Sequence, residues 1–145
     1  MKPHRQIAAA VIRRPDGRIL IAQRPADGLL PNLWEFPGGK QEAGESLRAC
    51  CSREIREELG IEIAVGQEIA RVDHAYSHYS VTLHFFACRH VSGRPRALGC
   101  QAFRWTRPEE LADRPFPRAN WGMVSRLSGR PFPAAAGRPR PARTG

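Results

Sequence analysis

Residues 38–61 read GGKQEAGESLRACCSREIREELGI and carry the clearest helix in the chain. Ser46 offers a side-chain oxygen to the orphan amides of a helix start. Leu47, Cys51, Ile55 and Leu59 then recur every fourth residue as one apolar stripe, and Gly60 is the residue type that ends a helix in the left-handed conformation. On such a helix Glu54, Glu57 and Glu58 present their carboxylates on one side, away from the stripe. Exposed like charges at this spacing repel by about a few tenths of a kcal/mol per pair, and a divalent cation reverses the sign.

Hard oxygen ligands suit Mg²⁺, with Mn²⁺ as a substitute. Magnesium takes one or two carboxylates, keeps several waters and completes its octahedron with substrate phosphate oxygens. The expected substrate is therefore a phosphate ester or anhydride. Arg53, one turn before Glu57, is placed to orient a carboxylate, Gly38 and Gly39 to bring a backbone carbonyl or amide beside metal and phosphates, and Lys40 to neutralise phosphate charge. R-E-I-R-E-E by itself also describes an ordinary solvated helix face. Such a face does not require Gly39, Glu45, Arg53, both glutamate pairs and Gly60 at these separations.

Those residues match, position by position, the Nudix box G-x5-E-x7-R-E-U-x-E-E-x-G-U, in which U is a bulky aliphatic, here Ile55 and Ile61. The resemblance to Nudix hydrolases implies an α/β Nudix fold, a mixed β-sheet sandwiched between helices, and cleavage of a nucleoside diphosphate linkage. It also implies a Mg²⁺ held by Glu54, Glu57, Glu58 and the Gly38 carbonyl, with Glu54 as catalytic base and Glu45 and Arg53 orienting it. The strings LIAQRPADGLLPNLWEFPGGK and FRWTRPEELADRPFPRAN look like the MutT branch, which sanitises oxidised nucleotides. In that branch the residues corresponding to Arg24, Phe36 and Asn120 surround the purine. Their plain structural alternatives are a surface arginine, a core phenylalanine and a helix N-cap. Arg24, Gly39 and Lys40 are the expected substrate and phosphate contacts, and Phe36, Asn120 and His78 the expected base contacts.

One departure stands out: MutT-like chains often carry a further glutamate ligand where this chain has Gly99, in Leu98-Gly99-Cys100-Gln101. Water, Gln101 or His78 is the candidate replacement. The string DHAYSHYSV, residues 73–81, reads as extended base-pocket wall rather than a zinc site, and also resembles the 8-oxoguanine-sensing terminal domain of adenine glycosylases. The implied activity is conversion of 8-oxo-dGTP to 8-oxo-dGMP and pyrophosphate. CTP, dCTP or another modified nucleotide is the alternative substrate, and a non-hydrolysing oxidised-base sensor the alternative class.

Beyond the box, apolar runs at 7–12 and 19–23 flank Pro15-Asp16-Gly17 as a hairpin. Residues 33–36 read as a short strand ended by Pro37-Gly38-Gly39, and 61–65, 69–72, 81–88 and 103–105 as further strands. A last helix is expected over 119–127. The 145 residues suit one domain, taken as 1–127, and no apolar run approaches the ~20 residues that span a bilayer. The amino-terminal apolar stretch reads as a first strand rather than a signal peptide. Four cysteines without zinc spacing read as reduced thiols of a cytoplasmic protein. The net charge of +9 favours polyanionic partners in general, phosphate substrates or nucleic acid, or reflects a basic proteome; the partner expected from the box is a nucleoside triphosphate, with no membrane and no stable nucleic-acid complex. Residues 128–145, rich in Pro, Ala and Arg, read as a disordered tail with too little to bury. The oligomeric state has no signature in the sequence.

Overall fold

A computed structural model of the chain describes residues 2–133. The strands are β1 (His4–Arg13), β2 (Ile19–Gln23), β3 (Trp34–Glu35), β4 (Gly38–Lys40), β5 (Glu62–Ala75), β6 (Ser80–Ser92) and β7 (Ala102–Thr106). The helices are α1 (Leu47–Leu59) and α2 (Trp121–Ser128), with short 3₁₀ helices at Pro108–Asp113 and Arg118–Asn120. The sheet runs β3-β2-β1-β6-β5, with β4 paired to β1 and β7 to β2. It is mixed: β1 and β6 are parallel over their whole pairing, and the other pairs are antiparallel.

Both faces of this sheet are covered, which is why β1 and β2 read as unbroken apolar runs rather than alternating ones. On one face Ala8, Ala10, Ile12, Leu20, Phe86 and Cys88 pack against Cys50, Cys51, Ile55 and Leu59 of α1. On the other, Val11, Ile19, Ile21, Phe36 and Phe85 pack with Leu111, Met123 and Val124. The expected stripe of α1 is buried except Leu47, which is half-buried, and Cys50 joins it.

Three local expectations are corrected. Pro37-Gly38-Gly39 does not simply end a strand, because Gly38–Lys40 pairs with Ala9, Ala8 and Ile7 of β1. The two strands expected at 61–65 and 69–72 are one, β5, whose irregular register around Val65, Glu68 and Ala70 absorbs Gly66 and Gln67 as a bulge instead of a turn. The domain also passes its expected end at 127. Phe132 lies edge-on to Phe116 and Trp121, with ring centroids 6.1 and 5.9 Å away, and Arg130 pairs with Asp113. The rest of the expected tail, residues 134–145 with Arg138, Arg140 and Arg143, lies outside the described residues. Among the described residues no helix is long and apolar enough to cross a membrane.

Candidate active site

Helix α1 is fixed at both ends. The Ser46 hydroxyl accepts from the Ala49 amide at 3.1 Å, and Gly60, at φ 69°, donates its amide to the Arg56 carbonyl at 3.0 Å. Between these ends the helix lays Glu54 and Glu58 against β4. The Gly38 amide donates to Glu58 Oε2 at 3.1 Å, and a Cβ on Gly39 would stand 2.2 Å from the Glu54 carboxyl carbon. The diglycine is thus a side-chain-free wall that lets two carboxyl groups approach the sheet.

Arg53 ties the cluster together. Its Nε and Nη2 donate to Glu45 at 2.6 and 2.9 Å, and its Nη1 donates to Glu54 at 2.9 Å and Glu57 at 3.2 Å. Nη2 also donates to the Lys40 carbonyl at 3.1 Å. This fork holds the Glu45 carboxyl down, to about 2. Glu58 behaves oppositely: burial, reinforced by the charges of Glu35 and Glu54, pushes its carboxyl up to about 9. Burial also raises Glu54 and Glu35, outweighing Arg53 and Arg24 respectively. Glu57 is the open member, its side chain 59% exposed.

Among the described residues no three metal-binding side chains converge as a closed cage. The donor set nevertheless fits a hard divalent cation that completes its shell with water and substrate. Carboxylate oxygens stand beside a wall that a single Cβ would fill, and burial raises two of the acids, Glu54 and Glu58, despite the guanidinium of Arg53 beside Glu54.

Gly38 and Gly39 also line a cavity of about 200 Å³, together with Arg24, Glu35, Phe36, Tyr76, Tyr79 and Asn120 among others. Phe36 is 2% exposed, edge-on to Phe85 and stacked on Phe116, so it is core and cavity wall at once. Asn120 is buried at 5% and its side chain does not cap α2, leaving the amide to the cavity. Arg24 donates to Glu35 Oε1 and to the Leu29 carbonyl, both at 2.9 Å. Arg24, Phe36, Gly38, Gly39 and Asn120 are therefore brought together as expected.

Two expected contacts are not. His78 is exposed in the turn between β5 and β6 and does not line the cavity. The Tyr76 amide bonds to the Tyr79 carbonyl at 2.7 Å, which turns the two flanking tyrosine rings inward, stacked 4.8 Å apart, and throws His78 out. Lys40 is also exposed and absent from the lining. Gly99 lies beside the cluster, where the Leu98 and Gly99 amides donate to the Glu58 carbonyl at 3.0 Å, but it brings no ligand. Gln101 does not replace one, since its amide bonds elsewhere. Glu35 was missed by the sequence reading. Its signal was its place beside Phe36, in a two-residue strand too short to show alternation.

The description of the NUDIX domain matches residues 8–126. The chain is 43% identical over 115 residues to the CTP pyrophosphohydrolase of Escherichia coli (strain K12), covering 79% of this chain and 84% of that protein. It is 32% identical over 122 residues to the 8-oxo-dGTP diphosphatase of the same strain, covering 84% and 95%. The crystal structure of a MutT protein from Methanosarcina mazei Go1 matches with a TM-score of 0.79 at 24% identity, over 88% of this chain and 95% of that one, and shares its fold.

Proposed function

Since the chain belongs to the Nudix family of hydrolases, we propose that it is a Mg²⁺-dependent nucleoside triphosphate pyrophosphohydrolase that releases a nucleoside monophosphate and pyrophosphate. One observation carries this reading: the carboxylate cluster and the aromatic cavity meet at the same diglycine wall, Gly38-Gly39. A nucleotide with its base in the cavity has its phosphates at the acids.

In this reading Glu54, Glu57, Glu58 and the Gly38 carbonyl hold the cation. Once bound, it supplies Lewis acidity toward the phosphate oxygens and lowers the pKa of water. Glu54 takes the proton of the attacking water, and Arg53 keeps that carboxylate aimed while Glu45 fixes Arg53. Water attacks the β-phosphorus in line, the bond to the α–β bridging oxygen breaks, and the monophosphate leaves. Gly39 and Arg24 contact the phosphate-bearing part of the substrate, and Lys40 offers its charge from the rim. Phe36 stacks on the base, and Asn120 offers it both a donor and an acceptor.

The preferred substrate is 8-oxo-dGTP, supported by the free amide of Asn120 in the P-x-A-N string. A cytidine triphosphate is the second reading, favoured by the 43% identity to a CTP pyrophosphohydrolase. The setting is nucleotide-pool sanitation in the cytoplasm, by a Nudix domain over 1–127 extended through Phe132. A sensor that never cleaves has no use for three mutually repelling glutamates. The deciding experiment measures kcat/KM for pyrophosphate release from 8-oxo-dGTP, dGTP, CTP and dCTP with Mg²⁺. Highest turnover of 8-oxo-dGTP supports the first reading and highest turnover of CTP or dCTP the second. Tight nucleotide binding without release under any divalent metal favours the sensor. Full activity of Glu57→Gln at saturating Mg²⁺ overturns the assigned cation site.

A further inference from the structure

The loop between β2 and β3 forms one rim of the base cavity through Leu29 and Leu30. Its backbone is unusual: Leu30 and Asn32 both take positive φ, 51° and 65°. Such conformations persist in residues with side chains only where their surroundings hold them. Within the loop's own end, the Asn32 amide donates to the Pro25 carbonyl at 3.1 Å, and Gln23 Nε2 donates to the Asn32 carbonyl at 3.1 Å. Arg24 adds two further local bonds, from Nε to the Leu29 carbonyl at 2.9 Å and from its amide to the Leu33 carbonyl at 2.8 Å, and further support comes from far along the chain. Gln101 Nε2 donates to Asn32 Oδ1 at 2.6 Å and to the Arg24 carbonyl at 2.9 Å, which spans both ends of the loop.

Gln101 is itself fixed. Its amide donates to the Gln23 carbonyl at 3.0 Å, and just before it the Leu98 and Gly99 amides dock on the Glu58 carbonyl at the last turn of α1. Segment 98–101 therefore straps the end of the glutamate helix to the loop over the cavity. From this geometry we propose that Gln101 is a positioning residue for base recognition, holding the 25–32 loop in the shape that places Leu29, Leu30 and the Arg24 side chain on the cavity. Gln101 bonds to none of the clustered carboxylates and does not itself line the cavity; it reaches the lining only through the Arg24 carbonyl, so it acts through the loop and the backbone of Arg24. The identity of the ligand rests on the nucleotide reading above; the strap does not.

Two measurements on the full chain test this, with Gln101→Ala and the isosteric Gln101→Glu, which turns an acceptor toward the Arg24 carbonyl. Hydrogen exchange of the free protein reads the loop without any ligand. The Asn32 amide, which is bonded to the Pro25 carbonyl, exchanges about fivefold faster in both variants, the effect of one net hydrogen bond, while the amides of β1 and α1 keep wild-type rates. Calorimetric titration with GMP and CMP, which needs no cleavage, shows binding weakened about fivefold. In turnover KM rises by a similar factor while kcat stays within twofold. Unchanged exchange of the Asn32 amide overturns the strap, and so does a rise spread over the whole sheet. Unchanged affinity with a loosened loop overturns its role in base recognition. If the wild-type protein binds neither monophosphate, the nucleotide reading fails and the exchange rates alone decide the strap.

Discussion

The Arg53 guanidinium grips the Glu45 carboxylate through two parallel hydrogen bonds, Nε to Oε2 at 2.6 Å and Nη2 to Oε1 at 2.9 Å. That bidentate fork leaves Nη1 pointed at Glu54 and Glu57, so one rigid group sets the aim of two further acids. Lysine carries the charge but not the fork. Arg53→Lys is therefore expected to lower kcat by about 10- to 100-fold, the usual cost of disturbing groups that orient a metal site. The melting temperature should fall only modestly, because lysine keeps the positive charge beside the half-buried Glu45 and Glu54 and no carboxylate is left without a cation. Pyrophosphate release and thermal unfolding check the two halves separately.

Glu58 makes the cation-free protein sensitive to alkaline pH. Below 4.5 its carboxyl is protonated whether the chain is folded or not; between 4.5 and about 9 only the folded chain retains the proton. The folded state therefore binds more protons across that window, and its stability falls as pH rises. Glu35 and Glu54 shift in the same direction. Glu45, held down to about 2 by Arg53, acts in a separate window, its contribution being lost as pH falls below 4.5. In EDTA the midpoint of thermal unfolding should drop between pH 5 and pH 9, and Glu58→Gln should flatten that slope. A slope unchanged in Glu58→Gln would show that another group carries it.

Much of this architecture is legible before any coordinates. Helix α1 is bounded in the sequence by Ser46 and Gly60, because capping and left-handed termination are local chemistry. Phe36 and Asn120, singled out from their strings, line one cavity. What escaped is set by distant partners. Gly38–Lys40 is a strand only because β1 offers it an edge. His78 and the two tyrosines are alike in the sequence, and a single turn hydrogen bond decides which of them face the cavity. Gln101 acquires its meaning from Asn32, 69 positions away.

Phe36 and Asn120 line the same cavity but should respond differently to truncation. Phe36 packs between Phe85 and Phe116 at 2% exposure, so Phe36→Ala should destabilise the fold by about 3–5 kcal/mol. Any loss of activity in that variant then reports folding as much as recognition. Asn120 has no cap to maintain, so Asn120→Ala should leave the fold within about 1 kcal/mol of wild type. Its kcat/KM for the preferred base should fall by about 10-fold or more, as one matched hydrogen-bonding group is lost. Denaturant unfolding alongside the substrate panel separates these effects, and equal kcat/KM losses for every base in Asn120→Ala would remove it from base recognition.

Gly38 and Gly39 are neighbours whose absent side chains serve different ends. A Cβ on Gly38 would fall 1.9 Å from the Ala8 carbonyl oxygen, inside the β1–β4 pairing, where neither strand can yield without breaking the ladder. Gly38→Ala should therefore cost more than about 3 kcal/mol of stability. A Cβ on Gly39 would instead meet the end of the Glu54 side chain, at 2.2 Å from its carboxyl carbon and 2.3 Å from Oε1. That end can swing aside, so Gly39→Ala should keep its fold while Glu54 leaves both the wall and Arg53. The expected result is a melting temperature near wild type with kcat lowered by about 100-fold and a raised Mg²⁺ requirement. If Gly39→Ala instead unfolds like Gly38→Ala, Glu54 is too tightly held to move. If it retains full kcat, the position of Glu54 against the diglycine is not what turnover depends on.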